Sequence, residues 1–148
     1  MRCNGKKEGF TLVETIVATA VFLVAAVSIL YSYLKCLELA DIGRNVSIAV
    51  QAVKNEMEDI KNSNFATLYN TYNNATFTAA GINGRGVVYV DNSNPSLLQV
   101  RVVFCWKQPN GLLIGEDTNL NGVLDAGEDK NANGQLDSYV QIQTNIYG

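Results

Sequence analysis

The densest set of ligand-type side chains lies between residues 116 and 137. It reads Glu116-Asp117-Thr118-Asn119-Leu120-Asn121-Gly122-Val123-Leu124-Asp125, then Glu128-Asp129-Lys130-Asn131-Ala132-Asn133-Gly134-Gln135-Leu136-Asp137. These are two copies of E-D-x-N-x-N-G-x-L-D at an offset of 12 residues. Calcium takes roughly six to eight oxygens. A loop can supply them from side chains at its first, third, fifth and ninth positions, a carbonyl at the seventh and a bidentate acid at the twelfth, with glycine at the sixth for the turn. Copy one offers Asp117, Asn119, Asn121, the Val123 carbonyl, Asp125 and, at the twelfth position, Glu128. Copy two offers Asp129, Asn131, Asn133, the Gln135 carbonyl and Asp137, but Val140 stands at its twelfth position. The second site is therefore expected to lack its bidentate acid and the first to dominate. With so few carboxylates per site, affinity is expected on the order of 10⁻⁴–10⁻³ M, suited to an extracellular module. The competing reading is a solvated pair of Asx-turns with no ion.

Other chemistries are poorly served. The chain of 148 residues has no histidine, which removes the usual general base, the Ser–His and Cys–His dyads and every His-containing zinc site. Three cysteines are too few for a disulfide framework and lack zinc-finger spacing. The net charge of −3 comes from the acidic loop alone, and no Lys/Arg cluster offers a nucleic acid its phosphate contacts. No enzyme is expected.

The second unusual carboxylate is Glu14. It directly precedes Thr15–Leu34, a run of 20 residues without a charge, long enough at ~1.5 Å per residue to cross a hydrocarbon core of ~30 Å. Arg2, Lys6 and Lys7 precede the run and place the N-terminus in the cytoplasm. A secretory signal cut at Ala18-Thr19-Ala20 would leave Val21–Leu34 as a bare apolar terminus. A plain anchor explains the length but not Glu14, since an acid inside a span costs about 2.5–3.5 kcal/mol and needs a partner.

One placement answers both objections. Gly5-Lys6-Lys7-Glu8-Gly9-Phe10-Thr11-Leu12-Val13-Glu14 resembles the class III signal of type IV pilins and pseudopilins: a basic leader ending in glycine, then phenylalanine, then glutamate four residues on, before a span. The resemblance implies cleavage by prepilin peptidase between Gly9 and Phe10 and methylation of the new Phe10 amine. It also implies that Glu14 is the charge partner of a neighbouring subunit's Phe10 amine. Physically, a buried ammonium and a buried carboxylate are each costly alone and acceptable together, so pairing across subunits would drive assembly. The run Gln99–Leu136 is also similar to the C-terminal part of PilV-type minor pilins, in which W-x-x-x-x-G leads into N-G-x-L-D-x-G-E-D. The acidic copies themselves resemble calcium loops of the dockerin or thrombospondin-repeat kind, with no room for the helices of true EF-hands.

The elements that must position these groups follow from periodicity. A helix is expected over residues 10–61, with Leu39, Ile42, Val46, Val50, Val53, Met57 and Ile60 forming its apolar stripe beyond the span. Residues 62–86 read as a connecting loop pinned by Phe65, Leu68, Tyr69, Tyr72 and Phe77. Strands are expected over 86–91, 97–108, 112–114 and 139–147, with turns at Asn92–Ser96 and Pro109–Gly111. In the second, Leu98, Val100, Val102, Phe104 and Trp106 face the core, while Gln99, Arg101, Val103, Cys105 and Lys107 face away. Cys105 so placed argues against a bridge to Cys36.

The expected fold is α+β and type IV pilin-like: a long N-terminal helix packed on a small antiparallel sheet of three to four strands. The expected divisions are a leader at 1–9, a membrane and polymerisation helix at 10–34, an amphipathic half at 35–61 and a periplasmic or extracellular head at 62–148. The resemblance implies a minor pilin held in the inner membrane and then in a pilus at the cell surface. Its partners would be the peptidase and other pilins through the N-terminal helix. A minor pseudopilin of type II secretion shares the same N-terminal logic, and a membrane-tethered calcium-binding protein that never polymerises would have no use for Glu14.

Overall fold

The computed structural model describes residues 9–94 and 96–148. Arg2, Cys3, Lys6, Lys7 and Glu8 of the leader, and Pro95 of the second turn, lie outside the described residues. The chain is α+β: α1 (Leu12–Lys61), α2 (Phe65–Tyr72), β1 (Thr76–Phe77), β2 (Asn83–Asn94), β3 (Leu97–Lys107), β4 (Leu113–Ile114) and β5 (Gln141–Tyr147). Its contacts separate two units, residues 1–40 and 41–148.

In the first unit, α1 runs without proline, and its apolar side chains are exposed: Phe22 and Val24 are typical. By length and composition this helix is apolar enough to cross a membrane.

In the second unit, the remainder of α1 lies on the sheet. The buried stripe is Asn45, Ala49, Val53, Met57 and Ile60: the last three are as expected from the sequence, and the stripe departs from it before Val53. Val46, assigned to that stripe, is exposed, as is Leu39 in the first unit. A polar residue enters the stripe because Asn45 Nδ2 donates to Gln108 Oε1 at 2.7 Å, although Gln108 Nε2 finds no partner among the described residues.

Residues 62–86 are more ordered than a connecting loop. Asn64 caps α2, its Oδ1 accepting from Ala66 N at 2.9 Å. Phe65, Leu68, Tyr69 and Tyr72 therefore recur at helical spacing, and Leu68 is buried in the core. β1 then adds an edge to the sheet, with Phe77 facing Gly86 of β2.

β2 and β3 form a long antiparallel hairpin in which Val88 faces Val102 and Val90 faces Val100. The inner face of β3 is as expected: Leu98, Val100, Val102, Phe104 and Trp106 are buried against α1. The other edge of β3 is shared by two strands. β4 pairs near its C-terminal end, Ile114 facing Trp106. β5 pairs along the rest, Gln141 facing Val103 and Tyr147 facing Leu97. The acidic loop connects these two strands.

The outer face of β3 is not open to solvent at its C-terminal end. Val103 and Cys105 are buried with Val87 and Leu136, flanked by Tyr89, Leu120 and Leu124. The cover comes from the acidic loop, which folds back over the sheet as a second layer. Cys36 and Cys105 are both free thiols. Burial pushes the Cys105 thiol up, opposed by backbone N–H groups of Asp117 and Glu116.

Candidate functional site

At the N-terminus, Gly9 and Phe10 are exposed and precede the helix, so the peptide bond between them is accessible. Among the described residues, and apart from its chain neighbours, no atom comes within 4 Å of where a side chain on Gly9 would begin. Glu14 has a local role that the resemblance does not mention. Its Oε2 accepts from Thr11 N and from Thr11 Oγ1, each at 3.1 Å, and Glu14 N donates to Thr11 Oγ1 at 3.3 Å. This is a reciprocal capping box over T-x-x-E. It satisfies amides that a helix start leaves unpaired, and the signal was present in the four residues Thr11–Glu14.

In the acidic loop, the doubled sequence folds as a doubled geometry. Asp117 Oδ1 and Oδ2 accept from Asn121 N and Gly122 N at 3.1 and 2.7 Å; Asp129 accepts from Asn133 N and Gly134 N at 3.0 and 2.8 Å. Asn119 and Asn121 both donate side-chain N–H groups to Asp125 Oδ2, at 2.7 and 2.8 Å, and Asn131 and Asn133 do the same to Asp137 Oδ2, both at 2.6 Å. The backbone repeats too: Leu120 and Ala132 have φ of 58° and 57°, Gly122 and Gly134 of 79° and 76°. A left-handed residue followed two positions on by a glycine at positive φ curls each copy around its own Asx side chains.

The closing carboxylates correct the expectation drawn from Val140. Glu128 accepts from Thr118 N at 2.7 Å, Thr118 Oγ1 at 2.5 Å and Asp125 N at 3.0 Å, and so braces copy one. Glu116 accepts from Lys130 N at 3.2 Å and Asp137 N at 3.1 Å, the corresponding two amides of copy two. Copy two thus has a bracing acid after all. It comes from the residue before copy one, and the two copies close on each other. Val140 instead packs into the main core. Asp117, Glu116 and Glu128 are all buried, which only their dense hydrogen bonding makes acceptable. Burial pushes Glu128 up, but the bonds from Thr118 and Asp125 outweigh it and hold the carboxyl below its ordinary value. Its contribution to stability is therefore present at neutral pH and lost as pH falls through that lowered value.

The two copies differ in burial, Asp117 and Gly122 being buried and Gly134 exposed, and in an outside charge. Arg101, on the outer face of β3, places Nη1 at 2.6 Å from Asp137 Oδ1, and its Nη2 donates to Gln135 Oε1. The guanidinium lies 5.4 Å from the centre of the Tyr89 ring, and the Tyr89 hydroxyl accepts from Leu136 N at 3.0 Å. Asp125, the counterpart of Asp137, makes no ion pair among the described residues.

Among the described residues, no three His, Cys, Asp or Glu side chains gather closely enough to hold a metal by themselves. The oxygen sets of the two copies are mixed Asp and Asn, hard donors of the kind calcium takes and zinc or iron does not favour. Asp117, Asn119, Asn121, Asp125 and Glu128 converge through the bonds given above, as do Asp129, Asn131, Asn133 and Asp137 with Glu116. The Val123 and Gln135 amides donate to Asn121 Oδ1 and Asn133 Oδ1 at 2.6 and 2.8 Å.

Residues 4–30 match the family model of the prokaryotic N-terminal methylation motif. The match spans the Gly9–Phe10 junction, Glu14 and most of the uncharged run. No curated protein and no solved structure matches the chain.

Proposed function

We propose that this chain is a structural subunit of a type IV pilus, a minor pilin that joins or primes the fibre. The observation that carries the reading is the methylation motif at 4–30 on an exposed Gly9–Phe10 junction, followed by a helix apolar enough for a membrane. In this reading prepilin peptidase cuts on the cytoplasmic side of the inner membrane, the Phe10 amine is methylated, and the helix holds the subunit until assembly. Glu14 then exchanges its capping bonds with Thr11 for the ammonium of a neighbour's Phe10. The exposed apolar side chains of residues 10–34 leave lipid for the helices of other subunits.

The capping box dictates the substitution that tests this. Glu14→Ala would remove both cap and charge. Glu14→Gln keeps a side chain that can complete the box and removes only the charge. The wild-type protein is expected in sheared fibres. Glu14→Gln is expected at normal levels in membranes and depleted at least about tenfold from fibres, the equivalent of ~1.4 kcal/mol of lost pairing. Quantitative immunoblotting of both fractions decides it. Incorporation equal to wild type would reduce Glu14 to a helix cap, and absence of the wild type from fibres would favour a tether that does not polymerise.

The acidic loop we read as a calcium element of the exposed head. Asp117, Asn119, Asn121, Asp125 and Glu128, with the Val123 carbonyl, would hold the ion in copy one, which would offset two of its three carboxylate charges and fix the loop over Cys105. At free calcium ten times Kd, linkage stabilises the fold by about 1.4 kcal/mol, a melting shift of several degrees. Thermal unfolding of the detergent-solubilised chain should show that shift with calcium and a smaller one with magnesium. Asp117→Ala should diminish it more than Asp129→Ala. No shift, or an equal one with magnesium, would leave a metal-free pair of Asx-turns as the better account.

A further inference from the structure

The two copies share a backbone and internal bonds but not their surroundings: Asp117 and Gly122 of copy one are buried, Gly134 of copy two is exposed, and the charges around them differ. Within residues 117–128 stand Asp117, Asp125 and Glu128 and no base. Within 129–140 stand Asp129, Asp137 and Lys130, and from outside come Glu116 and the Arg101 guanidinium. Arg101 is well placed for a fixed charge. Its fork engages Asp137 and Gln135 together, its central carbon lies over the Tyr89 ring, and Tyr89 in turn holds Leu136 N, so both loop and arginine are tied to the sheet. The pair is largely shielded, with the side chains of Arg101 and Asp137 only 16% and 21% exposed, so solvent screens it less than a surface bridge. Arg85 reaches copy one, but its Nε donates to the Leu120 carbonyl at 3.4 Å and makes no ion pair with a carboxylate there.

We propose that Arg101 is the resident cation of the second copy: it occupies an oxygen of Asp137 that an ion would otherwise use, makes that copy self-sufficient and leaves the first copy as the one that answers to free calcium. The inference rests on the calcium reading for its second half only. Arg101 decides which copy is selective for the ion, a role that the sequence assigned to Glu128 and Val140.

The test uses the full chain in detergent, labelled with ¹⁵N, and follows the amides of Gly122 and Gly134, which donate to Asp117 and Asp129. In chelator, each amide is compared with its own wild-type rate, because the Gly122 bond is buried and the Gly134 bond is exposed. Arg101→Gln should speed exchange at Gly134 at least about tenfold, the loss expected for a charge-assisted bond, and leave Gly122 unchanged. Arg101→Lys, which keeps the charge and loses the fork, should restore part of that protection. On titration with calcium chloride, Gly122 should move in the wild type while Gly134 stays, and both should move in Arg101→Gln.

Unchanged protection of Gly134 in Arg101→Gln overturns the proposal, as does an equal calcium response of both amides in the wild type. If neither amide responds to calcium in either protein, the calcium reading fails and the exchange comparison still decides whether Arg101 holds the second copy. Should Arg101→Gln fail to fold, Asp137→Asn removes the same ion pair from the other side and should produce the same selective loss at Gly134.

Discussion

A chain carrying Gly9→Val is expected to stay at full length in the membrane, whereas the wild type is expected to start at Phe10 and to be one methyl group heavier than the unmodified cut product. The structure isolates the cause. Among the described residues nothing beyond its chain neighbours lies within 4 Å of the position a Gly9 side chain would take, and the junction precedes the first turn of α1. The substitution therefore leaves this protein's own packing alone. In the pilin reading, what it changes is the approach of the peptidase's active site to the backbone, where a β-branched side chain would stand in the way. The effect should be close to all-or-none, and intact mass of the extracted protein reads it directly. A wild-type start at Met1 or Val21 would sink the pilin reading, and normal cutting of the variant would move the junction elsewhere.

The second large effect is expected inside the head, from adding a single methyl group. Gly115 has φ of 107°, and a Cβ there would lie 2.4 Å from Cys105 Sγ and 3.2 Å from the Asp137 carbonyl. Gly115→Ala combines a backbone conformation that costs an L-residue about 1–2 kcal/mol with an overpacked site costing about 1–3 kcal/mol. Together these take a sizeable share of a typical domain stability of about 5–15 kcal/mol, so the melting temperature should fall by roughly ten degrees or more. Adding Cys105→Ala removes the sulfur and should return the steric part while the backbone part stays. A double-mutant cycle by thermal unfolding separates the two. If Gly115→Ala melts like the wild type, the acidic loop does not rest on Cys105 as described.

What could be read from the chain beforehand was what depends on neighbours in sequence. The Gly9–Phe10–Glu14 spacing, the uncharged run, the inner face of β3 and the doubling of the loop are all local patterns. Two further local signals were present and passed over. Thr11 and Glu14 have capping-box spacing, and Phe65, Leu68, Tyr69 and Tyr72 follow a capping Asn64 at helical spacing, although the Asn- and Thr-rich composition reads as loop. The rest depends on distant partners. Val103 and Cys105 alternate outward, and only a loop arriving from residues 115–140 makes that side an interior. Asn45 belongs to the buried stripe because Gln108, 63 residues away, meets it. Counting ligands within each copy could not show that Glu116 braces the copy it does not belong to, although a glutamate preceding each Asp was in plain view.

The pairing of β4 and β5 carries one more consequence. Trp106 faces Ile114, so on an uninterrupted antiparallel edge Val103 would face Asp117; it faces Gln141, which stands 24 residues later. That interval is twice the 12-residue offset of the two acidic copies. β4 and β5 are therefore two pieces of one edge strand, opened to admit two repeats and resumed in the same frame. The sheet gives up no register to carry them, and each inserted unit leaves the side-chain alternation beyond it intact. The frame of the closing strand is thus indifferent to the number of such units, while the second apolar cluster beneath them is not, since Val103 and Cys105 are buried only by the layer the units form.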